Sequence, residues 1–429
     1  MTLRVRAPRP VEKAVPEEPA GPQLPVLEAP ADGVPPVTDT PAAYADVRAR
    51  LLAGRGPLAL DTERAQGFRY TAKAYLIQLR RDGAGTVLLD PVAFENGHVR
   101  ADLSDLADSL ADVEWLLHAA SQDLPCLAEV GLLPRNLFDT ELAARLLGMP
   151  KVNLSTVMEA ALGVGLRKAH SADDWSKRPL PDEWLAYAAL DVERLADVRD
   201  WLDDRLRAAG KRDWAAQEFA YLVEHAADPV PTRPDPWRHT SGLHAVRSRR
   251  GLEVVRQLWL ARDAIAAEID RAPGRVLIDK AISGVAALFQ DETPIVDSAL
   301  LRQVEGFSRR VAKQYRTVWL DSLRRAANCP AARLPAKSQQ PDGPPHPRAW
   351  EGLRPDAFAR WNRVRPAVIE RAEALDLPVE NLIAPSALRA LLWDGPARVT
   401  PSDIDQRLAA LGAREWQREL VIPVILAAW

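Results

Sequence analysis

Three short apolar runs stand out early in the chain: Leu58-Ala-Leu-Asp61, Ala74-Tyr-Leu-Ile-Gln-Leu79 and Thr86-Val-Leu-Leu-Asp90. Each is bounded by turn residues, the pattern of strands in a buried sheet. Ahead of them, Thr40 followed by Pro41 reads as an N-cap and a first helical residue. Val47, Leu51 and Leu52 give that helix an apolar side up to the turn Gly54-Arg-Gly-Pro57. Beyond the strands the period lengthens. Helical spacing near 102–111, 122–131, 139–148, 154–162 and 182–208 alternates with the strand-like run Val113-Glu-Trp-Leu-Leu-His118. Strands first, then strand–helix alternation, predict an α/β domain over 40–228.

The pattern changes twice more. Asp228-Pro-Val-Pro-Thr-Arg-Pro-Asp-Pro236 breaks any helix and marks a boundary. Residues 237–327 then read as wholly helical. A Pro-rich linker at 328–347 separates them from a final helical block, 348–429, of similar texture. Residues 1–36 are rich in Pro, Ala, Glu and Val and show no period. They cannot bury enough apolar surface to offset their ordering entropy, so a disordered tail is expected there.

Composition narrows the class. The chain has 429 residues, 47% hydrophobic and 27% charged, which excludes wholesale disorder and predicts several domains. Its net charge of −3 excludes polyanion binding by bulk charge. The charge is unevenly placed, however. Residues 41–228 hold 22 Lys and Arg against 30 Asp and Glu, net −8, whereas 245–325 hold 15 against 10, net +5. An acidic domain joined to a basic helical one fits a metal site beside a grip for a polyanion, two solvated faces of unequal sign being the competing reading. Cys126 and Cys329 are the two cysteines, too few for a disulfide framework or a zinc site, and the seven histidines lack ligand spacing. No apolar run reaches membrane length and no secretory segment opens the chain, so a cytoplasmic protein with no membrane partner is expected.

Four acidic residues are candidates for metal chemistry. Asp61 and Glu63 close the first strand at spacing i, i+2, which sends both side chains from one face. Carboxylates that close repel unless a proton or a cation lies between them, and hard divalent cations bind mainly carboxylate oxygen. Asp123, in Leu117-His-Ala-Ala-Ser-Gln-Asp-Leu-Pro125, follows a strand and opens a helix, where it could instead serve as a cap. Asp191 lies four residues after Tyr187 on a helix, so the two share a face. Read alone, that pair fits a core tyrosine touching a nearby carboxylate just as well.

Taken in order, these segments resemble the DEDD exonuclease superfamily and, within it, the ribonuclease D family. The likeness includes Asp61-Thr-Glu63, Tyr70, Ala74–Leu79, His118-Ala-Ala-Ser-Gln-Asp123 and Phe138-Asp-Thr-Glu141. Leu147-Gly148, Asp174-Trp175, Arg178-Pro-Leu180 and Tyr187-Ala-Ala-Leu-Asp191 continue it. Tyr at 187, with Ala at 186, implies the tyrosine branch. The resemblance implies an α/β fold, a ribonuclease H-like 3′–5′ exonuclease domain with a mixed sheet flanked by helices. It implies catalysis by Asp61, Glu63, Asp123, Tyr187 and Asp191. The four carboxylates would hold two divalent ions, Mg²⁺ or Mn²⁺, and Tyr187 would orient the attacking water. Lys168, Trp175 and Arg178 fall on the family's substrate-side loop, where cations would neutralise phosphates and the indole would stack on a base; a core tryptophan with solvated cations is the competing reading.

Residues 237–327 resemble an HRDC domain through Trp237-Arg238, Trp259-x-x-Arg262-Asp263 within a helix from 252 to 269, a short helix near 277–287, and Gly306-Phe307. Arg309, Lys313 and Arg316 follow at i, i+4, i+7 and would form one cationic stripe able to touch RNA phosphates, or a plain solvated face. Residues 348–429 would be a second, divergent module of this kind, with Trp361, Ile369, Leu382, Leu391 and Leu392 in its core. The expected partner is RNA with a free 3′ end, tRNA precursors being the family's substrate class, acted on by a monomer. DNA exonuclease chemistry and non-catalytic RNA binding are the alternatives. No phosphate-binding G-x-x-x-x-G-K-[ST] loop occurs, which disfavours an ATP-driven helicase.

Overall fold

The computed structural model describes residues 24–166, 170, 172–290, 294–338, 343–396 and 398–429. The anticipated strands form a six-stranded sheet. Short β1 (Val26–Leu27) lies outside it, and β2 (Val37–Thr38) is one edge. After α1 (Pro41–Ala53) come β3 (Arg55–Arg64), β4 (Ala74–Asp82) and β5 (Gly85–Leu89). Next are α2 (Ser104–Ser109), β6 (Glu114–Leu117), α3 (Leu124–Ala128) and β7 (Asn136–Asp139), the other edge. The order is β2-β5-β4-β3-β6-β7, antiparallel within β3-β4-β5 and parallel elsewhere.

Helices cover both faces, which is why the central strands read as continuous apolar runs. α4 (Thr140–Leu146) and α5 (Leu154–Leu162) precede β8 (Gly165–Leu166), which pairs with β1. α6 (Asp182–Glu193) then packs Trp184, Leu185, Ala188 and Ala189 on the face of Leu76 and Leu88. α7 (Leu195–Ala208) packs Leu195, Val198 and Leu202 into the core on the opposite face, with Leu60, Ile77 and Leu79. The single helix expected over 182–208 is therefore two. Arg194 leaves helical dihedrals at φ −113, ψ 14, where the buried side changes from one face of the sheet to the other.

Other expectations need correction. Thr40 caps α1 through Ala43 N, and Val47 and Leu51 are buried, but Leu52 points outward. Arg55, Gly56 and Pro57 belong to β3 rather than to a turn. Part of the Pro-rich start is ordered by pairing, since Val26 and Leu27 lie beside Gly165 and Leu166; residues 1–23 of that stretch lie outside the described residues. β7 was not anticipated because Leu137, Phe138 and Asp139 are all buried and show no alternation.

After α8 (Arg212–Glu224) come two helical blocks. The first holds α9 (Arg249–Glu268), α10 (Pro273–Val276), α11 (Asp279–Ala286), α12 (Ser298–Arg302), α13 (Arg310–Gln314) and α14 (Arg316–Ala327) around its own core. Asp270 of this block accepts from Tyr70 N, Thr71 N and the Thr71 hydroxyl, tying it to the loop after β3. The second holds α15 (Trp350–Leu353), α16 (Pro355–Ala374), α17 (Val379–Leu382), α18 (Pro385–Trp393), α19 (Pro401–Ala410) and α20 (Glu415–Ala428). Its core is continuous with that of the α/β domain. Trp416 stacks on Trp214 of α8 at 5.0 Å, and Lys211 donates to the carbonyls of Leu146 and Leu375.

Candidate metal centre and active site

Strand alternation sends Asp61 and Glu63 to the sheet face that α6 covers, and the helical period brings Tyr187 and Asp191 down onto it. One carboxylate oxygen from each of Asp61, Glu63 and Asp191 lies within 4.8 Å of the others. Asp123 approaches from the connection between β6 and α3. It occupies the N-cap position of α3 without a capping bond. Its Oδ1 accepts instead from the Thr62 hydroxyl at 2.6 Å, which fixes it beside β3. The turn before it is held by buried Asp139, whose carboxylate accepts from Ala119 N and Ala120 N while Ala119 sits at φ 64. Asp61, Asp123, Tyr187 and Asp191 line one cavity of about 600 Å³.

The electrostatics are those of buried carboxyl groups crowded together, where charge is disfavoured. Burial, reinforced by neighbouring carboxylates, holds Asp61 and Glu63 well above the usual carboxylate range. Burial pushes Asp123 up to about 6 and Asp191 to about 7. The Tyr187 hydroxyl is raised by burial and by the negative field of Asp191, Glu63 and Asp61, so it remains a proton donor. Gln78, the cross-strand partner of Asp61, is fully buried with an unpartnered carboxamide among the described residues. An oxygen-only, unneutralised donor set with a spare buried amide behind it fits a hard divalent cation.

The anticipated nucleic-acid contacts fare differently. Lys168 lies outside the described residues. Trp175 is fully buried, its indole N–H donating to the His170 carbonyl and its ring against Trp184 at 5.2 Å, so it offers no face to a base. Arg178 is consumed by Asp90, at 2.5 and 2.7 Å, and by the carbonyls of Tyr75 and Trp175. It braces the loop rather than reaching for substrate. Arg309, Lys313 and Arg316 are exposed, but the chain leaves helical geometry at Tyr315, so they do not form one continuous helical stripe. Among cavity residues that the sequence reading passed over are Arg64, Glu141, Arg145 and Asn153. For Arg64 a signal existed: it follows Glu63 directly, at the end of the same strand.

A mixed sheet with an acidic centre on one face, closed by a helix carrying tyrosine and aspartate, defines a nuclease of the acidic-centre, 3′–5′ exonuclease class. Residues 37–207 match a protein family described as 3′-5′ exonuclease, and residues 343–429 match one described as 3′ to 5′ exonuclease C-terminal domain. A ribonuclease D from Gluconacetobacter diazotrophicus is 32% identical over 326 residues, covering 74% of this chain and 80% of that protein. A crystal structure of a protein from Bifidobacterium adolescentis aligns with a TM-score of 0.85 and 37% identity, covering 95% and 99% of the two chains. The fold of Escherichia coli RNase D, described as an exoribonuclease involved in structured RNA processing, aligns with a TM-score of 0.62 at 24% identity, covering 88% and 98%. The chain belongs to the ribonuclease D family. No helix among the described residues is long and apolar enough to cross a membrane.

Proposed function

We propose that this chain is a metal-dependent 3′–5′ exoribonuclease that removes nucleotides one at a time from the 3′ ends of structured RNA, tRNA precursors above all. The observation that carries the reading is the convergence of Asp61, Glu63 and Asp191 oxygens within 4.8 Å, in a centre whose cavity Asp123 and Tyr187 also line. Asp61, Glu63, Asp123 and Asp191 would hold two divalent ions, Mg²⁺ or Mn²⁺. Such ions, when bound, supply Lewis acidity at phosphorus and a more acidic water.

The protein's own groups do the rest. The Thr62 hydroxyl keeps Asp123 in place, and the strand fixes the spacing of Asp61 and Glu63. Tyr187, kept protonated by burial and negative surroundings, orients the water for in-line attack on the terminal phosphodiester, with a nucleoside 5′-monophosphate as product. The block at 237–327, read as an HRDC-type module, would hold RNA upstream through exposed Arg309, Lys313 and Arg316. The block at 348–429 shares the core of the catalytic domain and is read as a second, divergent module. The test is competition between a 3′-extended tRNA and a DNA of matched sequence. Preferential mononucleotide release from the RNA supports the reading, and equal or greater release from DNA replaces it with a DNA exonuclease. Tyr187→Phe should slow release about 10- to 100-fold with metal affinity little changed.

A further inference from the structure

The metal-centre cavity contains two arginines, Arg64 and Arg145, and they are held very differently. Arg145 is locked to Glu141, donating Nε at 2.9 Å and Nη2 at 2.5 Å to one carboxylate oxygen, so its charge is already answered. Among the described residues Arg64 has one hydrogen bond, from Nη1 to the Gln122 carbonyl at 2.8 Å, and no ion pair. A guanidinium has five N–H donors, so four remain. His118, also in the wall, adds no charge near neutral pH, because burial pushes it down to about 4.

Arg64 is the last residue of β3, directly after Glu63 and just past a register irregularity in the β3–β4 pairing, so the strand that carries Asp61 and Glu63 also delivers it to the cavity wall. Its field reaches them: it opposes the upward shifts of Asp61, Glu63 and Asp123. Once divalent ions neutralise those carboxylates, Arg64 is left as an unanswered positive fork at the cavity wall. A fork of that kind matches the paired non-bridging oxygens of a phosphodiester.

We propose that Arg64 is a substrate-binding residue that grips a phosphodiester at the 3′ end of the RNA, anchored in reach by the Gln122 carbonyl. This rests on the exoribonuclease reading. The competing role is a clamp: by holding Gln122, Arg64 would only fix the turn that presents Asp123. The two roles differ in how they affect the metal. A cation beside the metal-binding carboxylates opposes metal binding, so losing a phosphate grip weakens RNA binding while leaving metal binding unchanged or tighter. Losing a clamp weakens both.

The experiment uses the full chain with Arg64→Gln and Arg64→Lys. RNA affinity is read by fluorescence anisotropy of a labelled single-stranded RNA across a salt series, with Ca²⁺ in place of Mg²⁺. Metal binding is read without RNA from the rise in Tm on titrating Mn²⁺. Arg64→Gln should raise the RNA Kd about 10-fold or more and lower the slope of log affinity against log salt by about 0.7, one phosphate contact on a single strand. The Mn²⁺ midpoint should stay put or fall, and Arg64→Lys should recover most of the RNA affinity. An unchanged Kd and slope would overturn the proposal. So would a joint loss of RNA and Mn²⁺ binding that Lys fails to recover. If the wild-type chain binds RNA with an Arg64-dependent slope yet releases no mononucleotide, the nuclease reading fails and the phosphate contact stands.

Discussion

Asp191 and Asp203 lie one helix apart, on α6 and α7, and both are in surroundings where burial disfavours charge. Asp203 is answered within the chain. Burial alone would raise it, but the guanidiniums of Arg207, at 2.9 Å, of Arg212, and of Arg199, at 3.7 Å, hold it below the usual range. Glu218 is similarly met, by Arg414 at 2.7 Å and by the Trp416 indole N–H at 2.9 Å. Among the described residues Asp191 has no ion pair; it accepts from the Tyr187 hydroxyl and, with Asp61 and Glu63, faces like charge. Asp203 and Glu218 are answered by guanidiniums, whereas Asp61, Glu63 and Asp191, the proposed metal ligands, are gathered against one another. Repulsion in the second group is what a site gathering oxygen ligands for divalent ions would carry.

Replacing one member of each group should break the comparison in opposite ways. The largest effect is expected for Asp61→Asn: mononucleotide release should fall by about 10³-fold or more, the several kcal/mol that a metal Lewis-acid site contributes. The metal-free Tm should rise, because one like charge is gone. Asp203→Ala should do the reverse. Stripped of its carboxylate, the site leaves Arg207 and Arg212 without this partner, while Arg199 keeps Glu114 and Asp200. Because these guanidiniums are partly solvated, the cost in chemical denaturation is about 1–3 kcal/mol, with turnover per folded molecule unchanged.

The pH dependence sharpens the contrast. The metal-centre carboxylates have folded pKa values above their unfolded ones. For Asp123 and Asp191 the contribution to metal-free stability is therefore complete below about pH 4 and is lost as pH rises through about 6 and 7. Asp203 is depressed, so its contribution is present above its unfolded value and lost as pH falls through the lower folded one. Metal binding must expel protons from the centre, so Mn²⁺ affinity followed by Tm should rise by up to about 10-fold per pH unit for each proton between pH 6 and 7. A flat profile would mean that these carboxylates do not receive the metal. The smallest effect is expected at Glu218→Gln, which keeps the shape but removes the charge opposite Arg414, for about 1–2 kcal/mol of stability and no change in metal affinity.

What the sequence discloses follows from how local each constraint is. Asp61 and Glu63 were legible because a strand alternates with period two, and Tyr187 and Asp191 because a helix stacks residues four apart. The linking of these pieces, with Asp123, came from their order along the chain. Partners decided elsewhere were not legible. Whether Trp175 stacks on a base or fills the core depends on Trp184 and the His170 carbonyl, and whether Arg178 is free depends on Asp90, far away in sequence. The helix break at Arg194 has no proline or glycine to announce it and answers to the two faces of the sheet. Nor does the texture of 348–429 reveal that Trp416 completes the core of the catalytic domain while 237–327 builds its own.

The most direct measurement follows the products of a 3′-extended RNA, labelled within the chain, on incubation with the wild-type protein in Mg²⁺ and in chelator. Nucleoside 5′-monophosphates from the first time point, in Mg²⁺ alone, are the expected result. Internal fragments as the first products, or undiminished release in chelator, would contradict the assignment of Asp61, Glu63, Asp123, Tyr187 and Asp191 to metal-dependent removal of 3′-terminal nucleotides.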